Sequence, residues 1–339
     1  MNETLRRLAE EYAEFNGTSI VTLHSPPTAL EFSRLVHISR PVLIHGFEIP
    51  SVRLWSDEYL SAALGDAKIS VATTPDGRAD AITAGPDGTQ WFVEPAVEQM
   101  TMSDLLEKLL NERADSDVHY LQSQNGNVYS STYFTDGSRD SEFLPLRQDI
   151  PSEIDFCSQA LGKSPDAVNI WMGSRRSVTS IHSGSSVMQL VDWSSSHLDP
   201  YENIYYVVRG TKHFTLLPPT ESFCLQERLY PHATWTRPAP DAPLTILSSA
   251  GAPPVRWASI TNPDNPANLP VEAHPVQITV HAGEMLYLPP GWWHHVQQDD
   301  RTIALNWWYD CEMRGIVWPL LSVLRGDPQA SSSATADDN

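Results

Sequence analysis

The feature that most constrains the fold is a long series of short strand candidates that begins near residue 118. Apolar and β-branched residues recur in segments of strand length, and Gly or Pro separates most of them. The candidate strands are 118–122, 168–172, 177–182, 203–209, 211–217, 277–280, 284–288, 294–298 and 302–309. Strands that follow one another without intervening helices favour a β-sandwich or β-barrel over a parallel sheet of alternating strands and helices.

The first third of the chain has a mixed pattern. Helical periodicity is present over 1–16, 30–36 and 103–110, with Ser103 as the candidate cap of the last helix. Two further segments, 41–45 and 68–72, are typical of strands. We therefore expect helices to flank the β-structure that follows.

These patterns predict three parts. Residues 1–117 form an N-terminal region of helices and strands that packs on the barrel, 118–326 form the barrel itself, and 327–339 form a disordered tail. Within the barrel, 231–274 is rich in Pro and Ala, and we expect a long ordered loop there with little regular structure.

Composition excludes several functions. A net charge of −20 argues against sequence-independent nucleic-acid binding, which needs clustered Lys and Arg. No run of about 18 apolar residues is present, so no membrane span is expected. Cys157, Cys224 and Cys311 are widely spaced and form no Cys-x-x-Cys motif, which indicates a reducing compartment, the cytoplasm or the nucleus. The same spacing disfavours a thiolate zinc site.

A candidate metal site combines His197-Leu198-Asp199 with the later sequence Trp-Trp-His294-His295. Two neutral imidazoles and one carboxylate on the same side of a metal leave positions open, a ligand set typical of non-haem Fe(II) that also binds a co-substrate and O2. Strand alternation allows only one of His294 and His295 to point inward. His182 is a second candidate for the first histidine.

The segment 199–217 predicts a β-hairpin that turns at residues 209–210. Alternation puts one set of side chains on a single face, namely Asp199, Tyr201, Asn203, Tyr205 and Val207. A two-residue turn would place Lys212 opposite Val207, on that same face. A buried ammonium is costly unless an anion meets it, so the pattern predicts an anion near the metal, unless the Lys212 side chain reaches the rim instead.

Five segments resemble the jumonji-C family of Fe(II)- and 2-oxoglutarate-dependent oxygenases, whose core is a double-stranded β-helix (jelly roll) of the cupin type. They are VATTPDGRADAI (71–82), ALGKSPDAVNIWMG (160–173), YENIYYVVRGTKHFTLLPP (201–219), AGEMLYLPPGWWHHVQQ (282–298) and ALNWWYD (304–310). The resemblance runs from about Pro27 to about Leu324. It implies a mainly β fold with flanking helices and a requirement for Fe(II), 2-oxoglutarate and O2.

The resemblance also assigns residues. His294 would be the distal iron ligand, and Lys212 would bind the distal carboxylate of 2-oxoglutarate, which is the anion that the hairpin pattern requires. Four further positions would line the co-substrate pocket, namely Tyr120, Thr179, Asn203 and Asn306. Trp292 and Trp293 would form walls of the site. Asp76 and Asp80 could receive a substrate cation, although Asp76 also suits a turn.

The chain departs from the family pattern at the first ligand. In the family, Thr-x-x-His is followed directly by x-Asp-x-Tyr-Glu-Asn, whereas here 184–198 separates His182 from Asp199. Deleting that segment restores the pattern, so we hypothesise a retained intron or a recent insertion. Either His182 keeps its family position at the metal while the insert loops out, or His197 replaces it next to Asp199. A third outcome is an impaired site.

The resemblance implies hydroxylation of a lysyl side chain in a protein substrate, with translation-associated GTPases as the substrate class. Alternatives are a histone demethylase of the same family, a metal-dependent peptidase, and a catalytically impaired cupin-like binding module. The N-terminal helix could mediate a homodimer or could pack on its own barrel.

Overall fold

The computed structural model describes residues 3–122, 126–183, 201–240, 242–312 and 316–326. The α-helices are α1 Glu3–Asn16, α2 Ala29–Ile38, α3 Ser51–Leu54, α4 Asp57–Leu64, α5 Met102–Leu110, α6 Ser131–Asp136, α7 Asp155–Leu161 and α8 Val317–Arg325. Short 3-10 helices cover Leu144–Asp149, Pro219–Leu225 and Pro266–Asn268. No helix in the described part of the chain is long and apolar enough to cross a membrane.

The strands are β1 Val21–Leu23, β2 Val42–Ile44, β3 Ile69–Thr74, β4 Arg78–Ala79, β5 Ala81–Ala84, β6 Gln90–Glu94, β7 Ala96–Met100, β8 Val118–Tyr120, β9 Ala167–Gly173, β10 Val178–His182, β11 Tyr201–Arg209, β12 Thr211–Leu217, β13 Arg228–Tyr230, β14 His232–Thr236, β15 Thr245–Ser248, β16 Val255–Trp257, β17 Val276–His281, β18 Met285–Leu288, β19 Trp293–Gln298 and β20 Thr302–Asp310.

Two facing sheets form the core. The major sheet has the order β1-β2-β18-β11-β20-β9, and the minor sheet has the order β17-β12-β19-β10-β4. Their inner faces meet in one apolar cluster that includes Tyr205 and Val207 from the major sheet and Phe214 and Leu216 from the minor sheet. This arrangement confirms the predicted fold class, a mainly β protein with flanking helices around a jelly-roll core.

The major sheet is buried on both faces. In β11, Ile204, Tyr206 and Val208 point away from the minor sheet into a second apolar cluster, which also contains Phe32 of α2 and Leu105 of α5. The flanking helices therefore cover the outer face of this sheet. Because both faces are covered, β11 and β20 are buried at nearly every position, and the polar side chains Glu202, Asn203 and Asn306 are buried with the apolar ones.

The predicted hairpin over 199–217 is wrong, although the turn is in the predicted place. β11 pairs with β18 and β20, and β12 pairs with β17 and β19, so the chain crosses from one sheet to the other at Gly210 (φ 81°). Lys212 and Tyr205 still share one side of the structure, as predicted, but for a different reason. Lys212 and Tyr205 both point into the space between the sheets, since the two strands face each other there instead of lying side by side.

The predicted loop 231–274 contains more regular structure than expected. β14 pairs in parallel with β6 and antiparallel with β15, and β16 pairs with β13. The prediction of little regular structure is therefore wrong. These strands are only three to five residues long, and two of their partners, β6 and β13, lie outside the segment, so local periodicity does not indicate them.

Two N-terminal contacts tie the first third of the chain to the core. β1 and β2 extend the edge of the major sheet next to β18, and β4 pairs in parallel with β10 of the minor sheet. α1 packs through Leu5 and Leu8 against α8 of its own chain. α5 begins two residues earlier than predicted, because Thr101, not Ser103, caps it in a capping box with Asp104.

Candidate functional site

A cleft opens between the two sheets at the end where β4, β10 and β19 lie. Its lining combines histidine, amide, carboxylate and aromatic side chains. The residues are Ala79, Asp80, Gln122, Trp171, Thr179, Ser180, His182, Asn203, Tyr205, Trp257, His294 and Trp308. Five of these residues were predicted from the sequence. His182 and His294 were predicted to bind the metal, Thr179 and Asn203 to line the co-substrate pocket, and Asp80 to receive a substrate cation.

His182 and His294 meet in this cleft. They are directly paired across β10 and β19, and their ring centroids are 4.2 Å apart. The Nδ1 of His182 lies 2.7 Å from the carbonyl oxygen of Ser180, and the Nδ1 of His294 lies 3.1 Å from that of Trp292. Since a carbonyl only accepts, each Nδ1 carries the proton, and each Nε2 presents a lone pair that can bind a metal.

Burial keeps both imidazoles neutral. It lowers the pKa of His182 to about 4 and the pKa of His294 well below its usual range, the latter also through the neighbouring His182. Trp257 stacks on His182 with an interplanar angle of 9°, which fixes the ring. Two neutral, oriented imidazoles are what a divalent transition metal requires of histidine ligands.

His295 points to the other face of β19, as strand alternation predicts. Its Nδ1 lies 3.2 Å from Oδ1 of Asp264, and the Thr215 hydroxyl donates to the same carboxylate oxygen. His295 therefore connects the barrel to the loop that carries Asp264, and His294 is the member of the pair that enters the cleft.

Lys212 lies deeper between the sheets and is only 2% exposed. Its Nζ donates a hydrogen bond to the Tyr120 hydroxyl at 3.2 Å and lies 5.9 Å from the centre of the Tyr205 ring. No carboxylate among the described residues pairs with it, and desolvation lowers the pKa of Lys212 to about 7. Gly173 makes room for Tyr120, because a Cβ there would lie 2.5 Å from its ring.

An amide network forms the floor of the site. The Asn306 side-chain amide donates to Oδ1 of Asn203 at 3.2 Å, and its oxygen accepts from Trp171 Nε1 at 2.9 Å and from Asn169 Nδ2 at 3.3 Å. All four side chains are buried. The predicted pocket residues Asn203 and Asn306 are thus in direct contact, and Tyr120 hydrogen-bonds Thr179.

The tryptophans that wall the cleft are not the predicted ones. Trp292 donates to the carbonyl of Ser39, and Trp293 packs in a separate apolar cluster, so neither lines the cleft. Trp171, Trp257 and Trp308 do. The alternation of β20 could have indicated Trp308, which shares a face with Asn306, whereas Trp257 lies on a strand that local pattern did not indicate.

One wall residue leaves a polar atom without a partner. The Nε1 of Trp308 is buried and has no hydrogen-bond acceptor among the described residues. A buried N–H without an acceptor costs free energy unless a ligand supplies one. Together with the buried ammonium of Lys212, it makes this interior suited to a bound anion.

Asp76 and Asp80 differ in their surroundings. Asp76 accepts hydrogen bonds from the backbone and the guanidinium of Arg78 and is partly exposed, as a turn residue is. Asp80 is 8% exposed, lines the cleft and accepts a hydrogen bond from Gln122 at 3.0 Å.

His197 and Asp199 lie outside the described residues, as do the whole insert 184–198 and the tail 327–339. Among the residues that are described, no group of three His, Cys, Asp or Glu side chains could hold a metal ion. The described part of the chain therefore contributes two candidate nitrogen ligands, His182 and His294.

The sequence model of the family described as "Cupin-like domain" matches residues 27–187 and 189–315. The chain is 36% identical over 297 residues to the human bifunctional peptidase and (3S)-lysyl hydroxylase JMJD7, covering 86% of this chain and 84% of that protein. It is 33% identical over 331 residues to the lysine-specific demethylase JMJ32 of Arabidopsis thaliana, covering 92% and 88%. The human 2-oxoglutarate and iron-dependent oxygenase JMJD4 is 23% identical over 320 residues, covering 90% and 67%.

Proposed function

Because the chain belongs to the cupin-like JmjC family of 2-oxoglutarate- and iron-dependent oxygenases, we propose that it hydroxylates a lysyl side chain of a protein substrate. The observation that carries the proposal is the cleft itself. Two neutral, oriented imidazoles line it, and a buried ammonium, that of Lys212, lies between the same two sheets.

The residues of the cleft fit the cofactors of the family. His182 and His294 each present an Nε2 lone pair, and Asp199 would complete a two-histidine, one-carboxylate set. Iron held there, with 2-oxoglutarate and O2, would supply the oxidising chemistry. The buried ammonium of Lys212 and the Trp308 Nε1, which has no acceptor among the described residues, support the binding of an anion in this interior, and 2-oxoglutarate is a dianion.

Each side chain has a task in this proposal. Lys212 and Tyr120 would hold the far carboxylate of 2-oxoglutarate by a charge-assisted and a neutral hydrogen bond. The network of Asn306, Asn203 and Trp171 would fix the shape of the co-substrate pocket. The tryptophan walls would exclude water, so that the reaction takes place in a dry space next to the substrate.

The proposal of a lysyl target rests on the relative JMJD7, whose name includes that activity. Translation-associated GTPases, which the sequence resemblance implies, are the protein substrates to test first. The acidic Asp80 in the cleft suits a cationic side chain.

The test measures succinate formation and product mass with purified full-length protein, Fe(II) and 2-oxoglutarate. We expect succinate from 2-oxoglutarate, and a lysine in the protein substrate that gains one oxygen atom. His294→Ala should abolish both. His213→Ala is the matched control, because His213 is a partly exposed β12 histidine that binds Thr279 and Asp299 outside the cleft.

The relatives supply two alternative outcomes for the same experiment. Cleaved substrate that requires no 2-oxoglutarate would favour a peptidase, an activity that the name of JMJD7 also includes. Loss of a methyl group from a methylated lysine would favour a demethylase, as in the name of JMJ32. Absence of metal binding would favour a non-catalytic cupin-like module.

A further inference from the structure

We propose that the contact between Gly173 and Tyr120 sets the length of the co-substrate pocket, so that the pocket selects the five-carbon 2-oxoglutarate over shorter and longer 2-oxo diacids. This inference rests on the proposed function, since it concerns the co-substrate of the same reaction. Gly173 is a positioning residue in this proposal, because it acts on the ligand only through the Tyr120 ring.

Tyr120 lies at the end of the interior that is remote from the two histidines. Its hydroxyl accepts a hydrogen bond from the Nζ of Lys212 at 3.2 Å. Lys212 is paired with Gln298, which lies four residues further along β19 than His294. A diacid that extends from a metal at His294 to the ammonium of Lys212 has to span this separation. The Tyr120 hydroxyl is therefore part of the far boundary of the pocket.

Glycine is needed at position 173 for space and not for backbone conformation. Gly173 is the last residue of β9, it is buried, and its φ is not positive. A Cβ there would lie 2.5 Å from Cδ2 of Tyr120, 2.6 Å from Oγ of Ser177 and 2.7 Å from Nε2 of Gln298. Real Cβ atoms essentially never lie within 3.0 Å of such atoms, so all three side chains would have to move. A glycine inside a strand often marks such a close approach.

Hydrogen bonds hold these three side chains in place. The Tyr120 hydroxyl is bonded to Lys212. The Nε2 of Gln298 donates to the carbonyl of Ser174 at 2.7 Å, and the Oγ of Ser177 accepts from the backbone N–H of Ser174 at 3.2 Å. A methyl group at position 173 would therefore displace groups that are already positioned, and the Tyr120 ring is the largest of them.

The displacement would shorten the pocket. Gly173 belongs to the major sheet, whereas Lys212 and Gln298 belong to the minor sheet. Because the Cβ would face Gln298, it would push the Tyr120 ring away from the major sheet and toward Lys212. Less room would remain there for a carboxylate. A diacid that is shorter by one methylene group would then fit better, relative to 2-oxoglutarate, than it does in the wild type.

The experiment is a calorimetric titration of the full chain, loaded with Co(II), at pH 6.5. The ligands are freshly dissolved oxaloacetate, 2-oxoglutarate and 2-oxoadipate, which have four, five and six carbon atoms. We expect the wild type to bind 2-oxoglutarate most tightly. Gly173→Ala should lower the preference for 2-oxoglutarate over oxaloacetate on the order of 10-fold, the effect expected of one methylene group in a fitted pocket. The variant should fold, with a lower unfolding temperature, because the displaced groups are side chains.

A second variant tests the same boundary from the other side. Tyr120→Phe removes the hydroxyl and lengthens the pocket, so it should raise the affinity for 2-oxoadipate relative to 2-oxoglutarate several-fold. Gly85→Ala is the matched control, since Gly85 also has no positive φ and a Cβ there would lie 3.0 Å from Nε1 of Trp91, in the turn between β5 and β6. It should keep the wild-type selectivity.

The outcomes separate this inference from the proposed function. Unchanged selectivity in Gly173→Ala would overturn the inference, as would an equal change in Gly85→Ala or a wild type that binds the three diacids equally. If Gly173→Ala does not fold, unchanged selectivity in Tyr120→Phe would overturn it instead, and the expected change would support it. The titration contains no protein substrate. Selection by chain length without lysine hydroxylation would therefore support the inference and contradict the proposed function.

Discussion

The Nζ of Lys212 on β12 donates a hydrogen bond to the hydroxyl of Tyr120 on β8, between two sheets that bury both side chains. A tyrosine hydroxyl does not neutralise an ammonium, and desolvation lowers the pKa of Lys212 to about 7. Near neutral pH, Lys212 is therefore charged in only part of the molecules. A bound anion would raise its pKa again and favour the charged form.

We expect the affinity for 2-oxoglutarate to fall as the pH rises above about 7. In that range Lys212 of the free protein is neutral, and binding the dianion requires it to take up a proton, so affinity falls roughly tenfold per pH unit. Calorimetric titration of the Co(II)-loaded protein with 2-oxoglutarate, in buffers of different ionisation enthalpy, measures the number of protons taken up on binding. Lys212→Arg, which stays charged, should remove the pH dependence. Equal affinity of the wild type at pH 6.5 and pH 8.5 would contradict this expectation.

His182, not His197, is expected to bind the metal. His182 lies 4.2 Å from His294 between ring centroids, with its Nε2 lone pair available. Co(II) titration followed by the visible spectrum should show binding in His197→Ala and its loss in His182→Ala, with His213→Ala as the control. The opposite pattern would mean that the insert replaces the family ligand.

The insert 184–198 is expected to be dispensable for metal binding. Its deletion restores the family spacing between His182 and Asp199, and residue 188 within it is the interruption in the match to the cupin-like family. A protein without these residues should bind Co(II) at least as tightly as the full chain. Weaker binding would show that the insert contributes to the site, and sequencing the transcript would decide whether it is a retained intron.

Trp308→Phe is expected to weaken ligand binding without destabilising the fold. The Nε1 of Trp308 has no acceptor among the described residues, so its removal breaks no hydrogen bond within the described protein. We expect an unchanged or higher unfolding temperature and a several-fold weaker affinity for 2-oxoglutarate or for substrate. Trp171→Phe is the comparison, since Trp171 Nε1 donates to Asn306 and its loss should cost about 1 kcal/mol or more.

Glu202 is expected to make stability depend on pH. Burial raises its pKa to about 7, and the Tyr287 hydroxyl donates to it at 2.6 Å. The folded state thus binds this proton more tightly than the unfolded state, and the free energy of unfolding falls as the pH rises from about 4.5 to about 7. Glu202→Gln keeps the acceptor and should remove this slope, measured by urea unfolding at several pH values. An unaltered slope would show that Glu202 does not cause it.

Sequence patterns predicted β9 to β12 and β17 to β20 of the two facing sheets but not how these strands associate. Alternation in β11 and β12 correctly put Lys212 and Tyr205 on a common interior, yet it suggested direct pairing of two strands that lie in different sheets. The alternation of apolar residues shows which face of a strand is buried. It is the same whether two strands pair within one sheet or face each other from two sheets. Trp257 escaped prediction because its short strand pairs with β13, and Asp80 was ambiguous until its burial distinguished it from Asp76.

The most direct test of the account is the binding of 2-oxoglutarate to wild-type protein and to Lys212→Met, measured by calorimetry at pH 6.5 with Co(II). Met has a similar volume and no charge, so the variant should be at least as stable as the wild type, because it no longer buries an ammonium. We expect the wild type to bind 2-oxoglutarate and the variant to bind it on the order of 10- to 100-fold more weakly. Equal affinity of the two proteins, or no binding by the wild type, would contradict the assignment of this cleft as a 2-oxoglutarate site.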